Sequence, residues 1–123
     1  MKDASGALPR VLVVEDEALI RMLLEDMLGE LGYTPAAAVG TLAEAIAFAR
    51  DGNFEAAILD VNLDGVEIYP VADILARRGT PFVFVTGYGE ASLAENYCDR
   101  PALQKPFHSD QLRAVLDRLL TSA

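Results

Sequence analysis

Two hydrophobic periods alternate along the chain. The runs Val11-Leu12-Val13-Val14, Ala56-Ala57-Ile58-Leu59 and Phe82-Val83-Phe84-Val85 are short and continuous, and they end at polar residues. Such runs fit strands buried on both faces. A weaker strand pattern covers Thr34–Val39, and Ala102-Leu103-Gln104 reads as a brief fifth strand. Helical spacing fills the intervals. Ile20, Leu23, Leu24, Met27, Leu28 and Leu31 form one apolar stripe, closed by Gly32 as a C-cap. Thr41 and Glu44 form a capping box ahead of Leu42, Ala45, Ile46 and Ala49. Val71, Ile74, Leu75 and Arg78 mark a third helix, opened near Pro70 and closed by Gly79. Residues 90–98, behind Gly87-Tyr88-Gly89, are expected to form a short fourth helix. Leu112, Val115, Leu116, Leu119 and Leu120 predict a last one, capped by Ser109.

Strands alternating with helices predict an α/β, doubly wound, five-stranded parallel sheet of (βα)5 type, with helices on both faces. With 123 residues, one domain is expected, its core at about 10–120, with no output domain. The chain carries 10 basic and 19 acidic residues, a net charge of −9. That surface repels nucleic-acid phosphates and anionic lipid, so neither nucleic acid nor membrane is an expected partner. Cys98 is the single cysteine, so no internal disulfide forms; it reads as a small packed residue. The N-terminus lacks the apolar segment of a signal peptide, and no apolar run reaches the roughly 20 residues of a membrane span, so a cytoplasmic location is expected.

In open parallel sheets, chemistry gathers beyond the carboxyl ends of the strands. The first strand delivers Glu15 and Asp16 there, the third Asp60, the fourth Thr86 and the fifth Lys105. Two like charges 4 Å apart repel by about 4 kcal/mol at an effective dielectric near 20, so three carboxylates need compensation. Lys105 offsets one charge, and a divalent cation suited to oxygen ligands, Mg²⁺, would offset the rest. A carboxylate beside a cation, an ammonium and a hydroxyl suits phosphoryl transfer, with Asp60 as nucleophile and Thr86 donating to a phosphoryl oxygen.

The ordered set VVEDE, ILDVN, FVTG and QKPF resembles the receiver domain of two-component response regulators, a flavodoxin-like fold, from Val11 to Leu120. The resemblance implies that Asp60 is the phosphoacceptor, with Thr86 as switch hydroxyl and Lys105 as phosphate-binding lysine. Glu15, Asp16, Asp60 and the backbone carbonyl of Asn62 would hold Mg²⁺, and the Lys105–Pro106 bond would be cis. It implies a phosphoprotein in a phosphorelay rather than an enzyme, with chemistry confined to its own phosphorylation and dephosphorylation. A histidine kinase or histidine phosphotransfer protein would be the donor and a downstream protein the target, read through the fourth helix and fifth strand. A monomer or weak dimer is expected. Two positions depart from the pattern: VNLDGVEIY lacks the usual proline after the phosphoacceptor, and Ala102 occupies the usual place of an aromatic switch residue. The stretch Phe84-Val85-Thr86-Gly87-Tyr88 resembles a Phe-x-Thr-Gly-Tyr subfamily, often of single-domain regulators. Tyr88 is either a lid over the sheet or a substitute for the aromatic missing at Ala102.

Other readings compete. A Mg²⁺-dependent phosphohydrolase with an aspartyl nucleophile commonly carries a second Asp two residues on, where this chain has Asn62. A flavodoxin-type FMN module needs a phosphate-cradling loop after the first strand, where Glu15-Asp16-Glu17 repels phosphate. The run from Asp60 to Gly65 mimics the start of an EF-hand loop, but its twelfth position is Val71 rather than Glu. His108 reads as a surface residue, and Met22 and Met27 lie in the first helix, whose apolar stripe is core.

Overall fold

The computed structural model describes residues 8–87 and 93–121. Among these residues the strands, in chain order, are β1 (Arg10–Val14), β2 (Thr34–Val39), β3 (Ala56–Asp60), β4 (Asn62–Leu63), β5 (Val66–Glu67), β6 (Phe82–Thr86) and β7 (Ala102–Gln104). Five of them run parallel in one sheet, in the order β2-β1-β3-β6-β7, while β4 and β5 pair as a small antiparallel hairpin. The chain steps outward from β1 in one direction and then, from β3, in the other. β1 and β3 therefore flank the point where the winding reverses, the usual ligand crevice of such sheets. The helices α1 (Ala18–Leu31), α2 (Leu42–Asp51), α3 (Tyr69–Arg78) and α4 (Ser109–Thr121) cover both faces.

Side-chain alternation assigns the faces. Val11 and Val13 of β1 join Leu24, Leu28, Leu112 and Leu116 on the α1/α4 side, whereas Leu12 and Val14 join Ala45, Ala49 and Leu75 on the α2/α3 side. β1 from Val11 onward and all of β3 are buried, which explains their continuous apolar runs. Full burial of one such aliphatic side chain stabilises by about 1.5–3 kcal/mol. The helix ends follow local chemistry. The Glu44 N–H donates to Thr41 Oγ1 at 3.2 Å, while Glu44 Oε1 accepts from the Thr41 hydroxyl and the Gly40 N–H. Gly32 ends α1 at φ 90°, where a side chain would be strained.

The structure corrects several expectations. Of the segment 90–98, residues 90–92 lie outside those described, and the remainder holds a 3₁₀ turn, Glu95–Tyr97, rather than an α-helix; with few large apolar residues the segment has no stripe to bury. The expectation for Tyr88 also falls outside the described residues. Cys98 is exposed, since it comes just after the turn whose buried anchor is Tyr97. Met22 and Leu23 are 59% and 50% exposed, because the buried stripe of α1 narrows to Leu24 and Leu28. Ser109 is the first residue of α4 and not its cap. His108 precedes it, exposed as expected, with its N–H donating to Gln111 Oε1 at 2.7 Å. The β4–β5 hairpin in the loop after Asp60 was not expected. Its turn residues Asp64 and Gly65 have φ 52° and 90°, as tight two-residue hairpins of primed type require.

Candidate functional site

The carboxyl ends of β1, β3 and β7 converge on an acidic cluster. Glu15 and Asp16 leave β1 at the turn into α1, and Asp60 closes β3. Each offers one oxygen, and these oxygens all lie within 4.8 Å of one another. Lys105 comes directly after β7, its backbone N–H donating to the Thr86 carbonyl at 2.9 Å, and the Lys105–Pro106 bond is cis, as the resemblance implied. Its ammonium stands 2.8 Å from Glu15 Oε1 and 3.1 Å from Asp60 Oδ2.

Asp60 is only 4% exposed. Its Oδ1 accepts from the Asn62 N–H at 3.1 Å, and its Oδ2 from Lys105. Asn62 in turn holds the hairpin, its Oδ1 accepting from the Gly65 N–H at 2.6 Å. Burial foremost, with the adjoining Glu15 carboxylate, pushes the Asp60 carboxyl up to about 7, against the Asn62 N–H and Lys105, which pull it down. For Glu15, burial also acts upward, but Lys105, the Glu17 N–H and Asp60 together outweigh it and hold the carboxyl below its ordinary value. Burial lowers the Lys105 ammonium, yet its two carboxylate neighbours leave it raised overall.

The residues present fit a hard divalent cation. Glu15 Oε1 is buried and, although Lys105 is near, no contact among the described residues meets hydrogen-bond geometry there. With Asp60 ionised, three carboxylates against one ammonium leave two negative charges, and every candidate ligand is oxygen. A cleft of about 620 Å³ opens over the cluster, lined by Asp16, Asp60, Asn62, Asp64, Gly87 and Lys105 among others. Thr86 ends β6, one position beyond the Val85 that pairs with Asp60. Thus Glu15, Asp16, Asp60 and Lys105 meet at one spot, Asn62 sits beside them through its backbone, and Thr86 lies on the same sheet end.

Two features escape the hydrophobic pattern and the motifs. Arg21, in the first turns of α1, reaches back so that Nη1 donates to the Glu15 carbonyl at 2.7 Å and the Asp16 carbonyl at 3.3 Å. Its position five residues after Asp16 is the one signal the sequence offers. Tyr69 and Tyr97 stack at 5.8 Å beside Phe84, and the Tyr69 oxygen accepts from the Ala94 N–H at 2.8 Å. No sequence period links these residues.

The cluster and its lysine thus stand at the switch point of a doubly wound parallel α/β sheet. The chain belongs to the response regulator receiver domain family, whose pattern it matches over residues 11–117. It is 50% identical to SdrG from Sphingomonas melonis Fr1, whose solution structure superposes with a TM-score of 0.83, covering 93% of this chain and 98% of that one. The BeF3-activated conformation of SdrG, ascribed to Pseudomonas melonis Fr1, has 51% identity and a TM-score of 0.78, covering 94% of this chain and 98% of that one. The transcriptional regulatory protein PdtaR of Mycobacterium tuberculosis is 38% identical over 121 residues; the match covers 92% of this chain and 58% of PdtaR. The chain thus spans little more than half of that relative. Among the described residues, no helix is long and apolar enough to cross a membrane.

Proposed function

We propose that the chain is a single-domain phosphoacceptor that takes a phosphoryl group from the phosphohistidine of a histidine kinase or phosphotransfer protein onto Asp60, and acts as a signalling protein in the cytoplasm rather than an enzyme. The observation that carries this is the buried Asp60 carboxylate, held at 3.1 Å by both the Lys105 ammonium and the Asn62 N–H, with Glu15 and Asp16 beside it. The beryllofluoride-activated form of SdrG, 51% identical to this chain, supports an acyl-phosphate chemistry.

An Asp60 oxygen attacks the donor phosphorus. The P–O bond forms as the P–N bond breaks, and the bonding pair stays on the departing imidazole. Lys105 exchanges its contact with Asp60 for a phosphoryl oxygen, and the Thr86 hydroxyl donates to another. A Mg²⁺ ion held by Glu15, Asp16, Asp60 and the Asn62 carbonyl would supply charge neutralisation for those oxygens and a site for later hydrolysis. The Asp60 pKa near 7 leaves part of the carboxyl protonated at neutral pH without metal, so lysine and cation also serve to keep the nucleophile ionised. The Phe-x-Thr-Gly-Tyr stretch belongs to the same reading.

The test is transfer from a phosphorylated histidine phosphotransfer protein in the presence of Mg²⁺. Wild type gains one phosphoryl group and Asp60→Asn gains none, while neither turns over a small phosphate ester. Labelling of Asp60→Asn would overturn the assignment, and sustained ester turnover would favour the phosphohydrolase.

A further inference from the structure

We propose that Arg21 is a positioning residue for the cation site. This deepens the reading above and rests on it. The two carbonyls that accept from Arg21 Nη1, at 2.7 and 3.3 Å, belong to Glu15 and Asp16, the two residues whose carboxylates enter the cluster from this loop. One planar, always charged group therefore orients both peptide planes that flank Asp16. The other ends of the loop are also tied. The Glu15 N–H donates to the Val39 carbonyl at 3.0 Å, the Glu17 N–H to Glu15 Oε2 at 3.0 Å, and the Arg21 N–H to the Glu17 carbonyl at 2.9 Å. With the guanidinium in place, the Asp16 side chain projects from a backbone fixed on every side. Without it, the carbonyls of Glu15 and Asp16 lose this donor.

A second observation points to the same role. A Cβ on Gly40 would come within 2.5 Å of Arg21 Nη1 and 3.5 Å of the Glu15 carbonyl oxygen. Gly40 is not among the residues at positive φ, so its backbone does not call for glycine. A side chain there would instead meet the flexible far end of Arg21, which would have to shift.

The sign of the effect separates positioning from charge. Arg21 is a cation near a cation site, so by Coulomb's law alone its removal strengthens divalent binding. Loss of positioning weakens it, and groups that orient metal ligands from outside are typically worth about 10- to 100-fold in affinity.

The experiment uses the full chain, with Mn²⁺ as a probe read by the electron paramagnetic resonance of the free ion, below the melting temperature of each variant. Arg21→Met and Gly40→Ala are each expected to weaken Mn²⁺ binding by about tenfold or more. The double variant is expected to be no weaker than the weaker single, since both act through one contact. In phosphorylation by acetyl phosphate, the Mg²⁺ concentration for half-maximal rate is expected to rise by the same factor, with the rate at saturating Mg²⁺ little changed. If Arg21→Met does not fold, Gly40→Ala carries the test, because it leaves every charge and ligand in place. Unchanged or tighter Mn²⁺ binding in either folded single variant overturns the positioning role. Asp16→Asn is the control: if it binds Mn²⁺ as tightly as wild type, the cation site itself is wrong, and the role of Arg21 falls with it.

Discussion

Asp60 carries an electrostatic conflict at the centre of the site. Its carboxyl is pushed from 3.8 to about 7, by burial first, and yet its proposed chemistry needs the ionised form. Between those values the folded chain keeps a proton that the unfolded chain has released, so stability falls as pH rises through that window, by at most a few kcal/mol. Glu15 acts oppositely but lower on the scale, its contribution being lost only as pH falls below the ordinary carboxylate range. In chelator-containing buffer, melting temperature is therefore expected to drop between pH 5.5 and pH 8. Asp60→Asn, which keeps the shape without the charge, is expected to flatten that drop and to melt higher at pH 8. Saturating Mg²⁺ should raise wild type at pH 8 by mass action and leave Asp60→Asn nearly unmoved. Melting curves against pH, with and without Mg²⁺, check all three. At this scale the sequence is informative wherever chemistry sits at a strand end: Glu15, Asp16, Asp60 and Lys105 can be placed because each lies just past an apolar run. Arg21 cannot, because its effect depends on how the first turn of a helix folds back over the loop before it.

Among the elements, the short hairpin after β3 shapes one wall of the cleft. It escapes the hydrophobic pattern because two-residue strands carry no period. The Asp64-Gly65 pair is its only mark, and the same pair fits the start of an EF-hand loop. A Cβ on Gly65, at φ 90°, would meet no atom of the described residues within 4 Å, so the cost of a side chain there is backbone strain. Gly65→Ala is expected to lose about 1–2 kcal/mol in urea unfolding with the slope unchanged. The 3₁₀ turn Glu95–Tyr97 is anchored differently. Tyr97 is 5% exposed, stacks on Tyr69, meets Phe82 and Phe84 edge-on, lies under Arg100, and donates its hydroxyl to Asp73. That burial and the Asp73 carboxylate push its phenol up to about 12. Tyr97→Phe is expected to cost about 1 kcal/mol, the worth of the hydrogen bond. Tyr97→Ala is expected to cost about 3–5 kcal/mol, as for other buried aromatics. Denaturant titration of both separates the ring from the hydroxyl. This cluster puts an aromatic against β6 although Ala102 supplies none, and the sequence does not show it because Tyr69 and Tyr97 meet only through the fold.

For the whole molecule, the parallel sheet is legible because its inner strands β1, β3 and β6 are buried on both faces, which forces continuous apolar runs and leaves polar residues at their ends; the edge strands β2 and β7 are less buried and carry weaker patterns. The edges of that logic are less legible. Leu23 of α1, 50% exposed, looks like core in a sequence because hydropathy does not say which side of a wide stripe faces the sheet. Membership in the receiver family places the acidic cluster in a phosphotransfer context, and the proposed function turns on one atom of one residue. The most direct measurement is therefore chemical. The protein is phosphorylated with acetyl phosphate and Mg²⁺, reduced with borohydride to convert any aspartyl phosphate to homoserine, and mapped by peptide mass spectrometry. The account predicts homoserine at position 60 and nowhere else, and none in Asp60→Asn. Homoserine at another acidic position, or none in folded, Mg²⁺-loaded wild type, would contradict it.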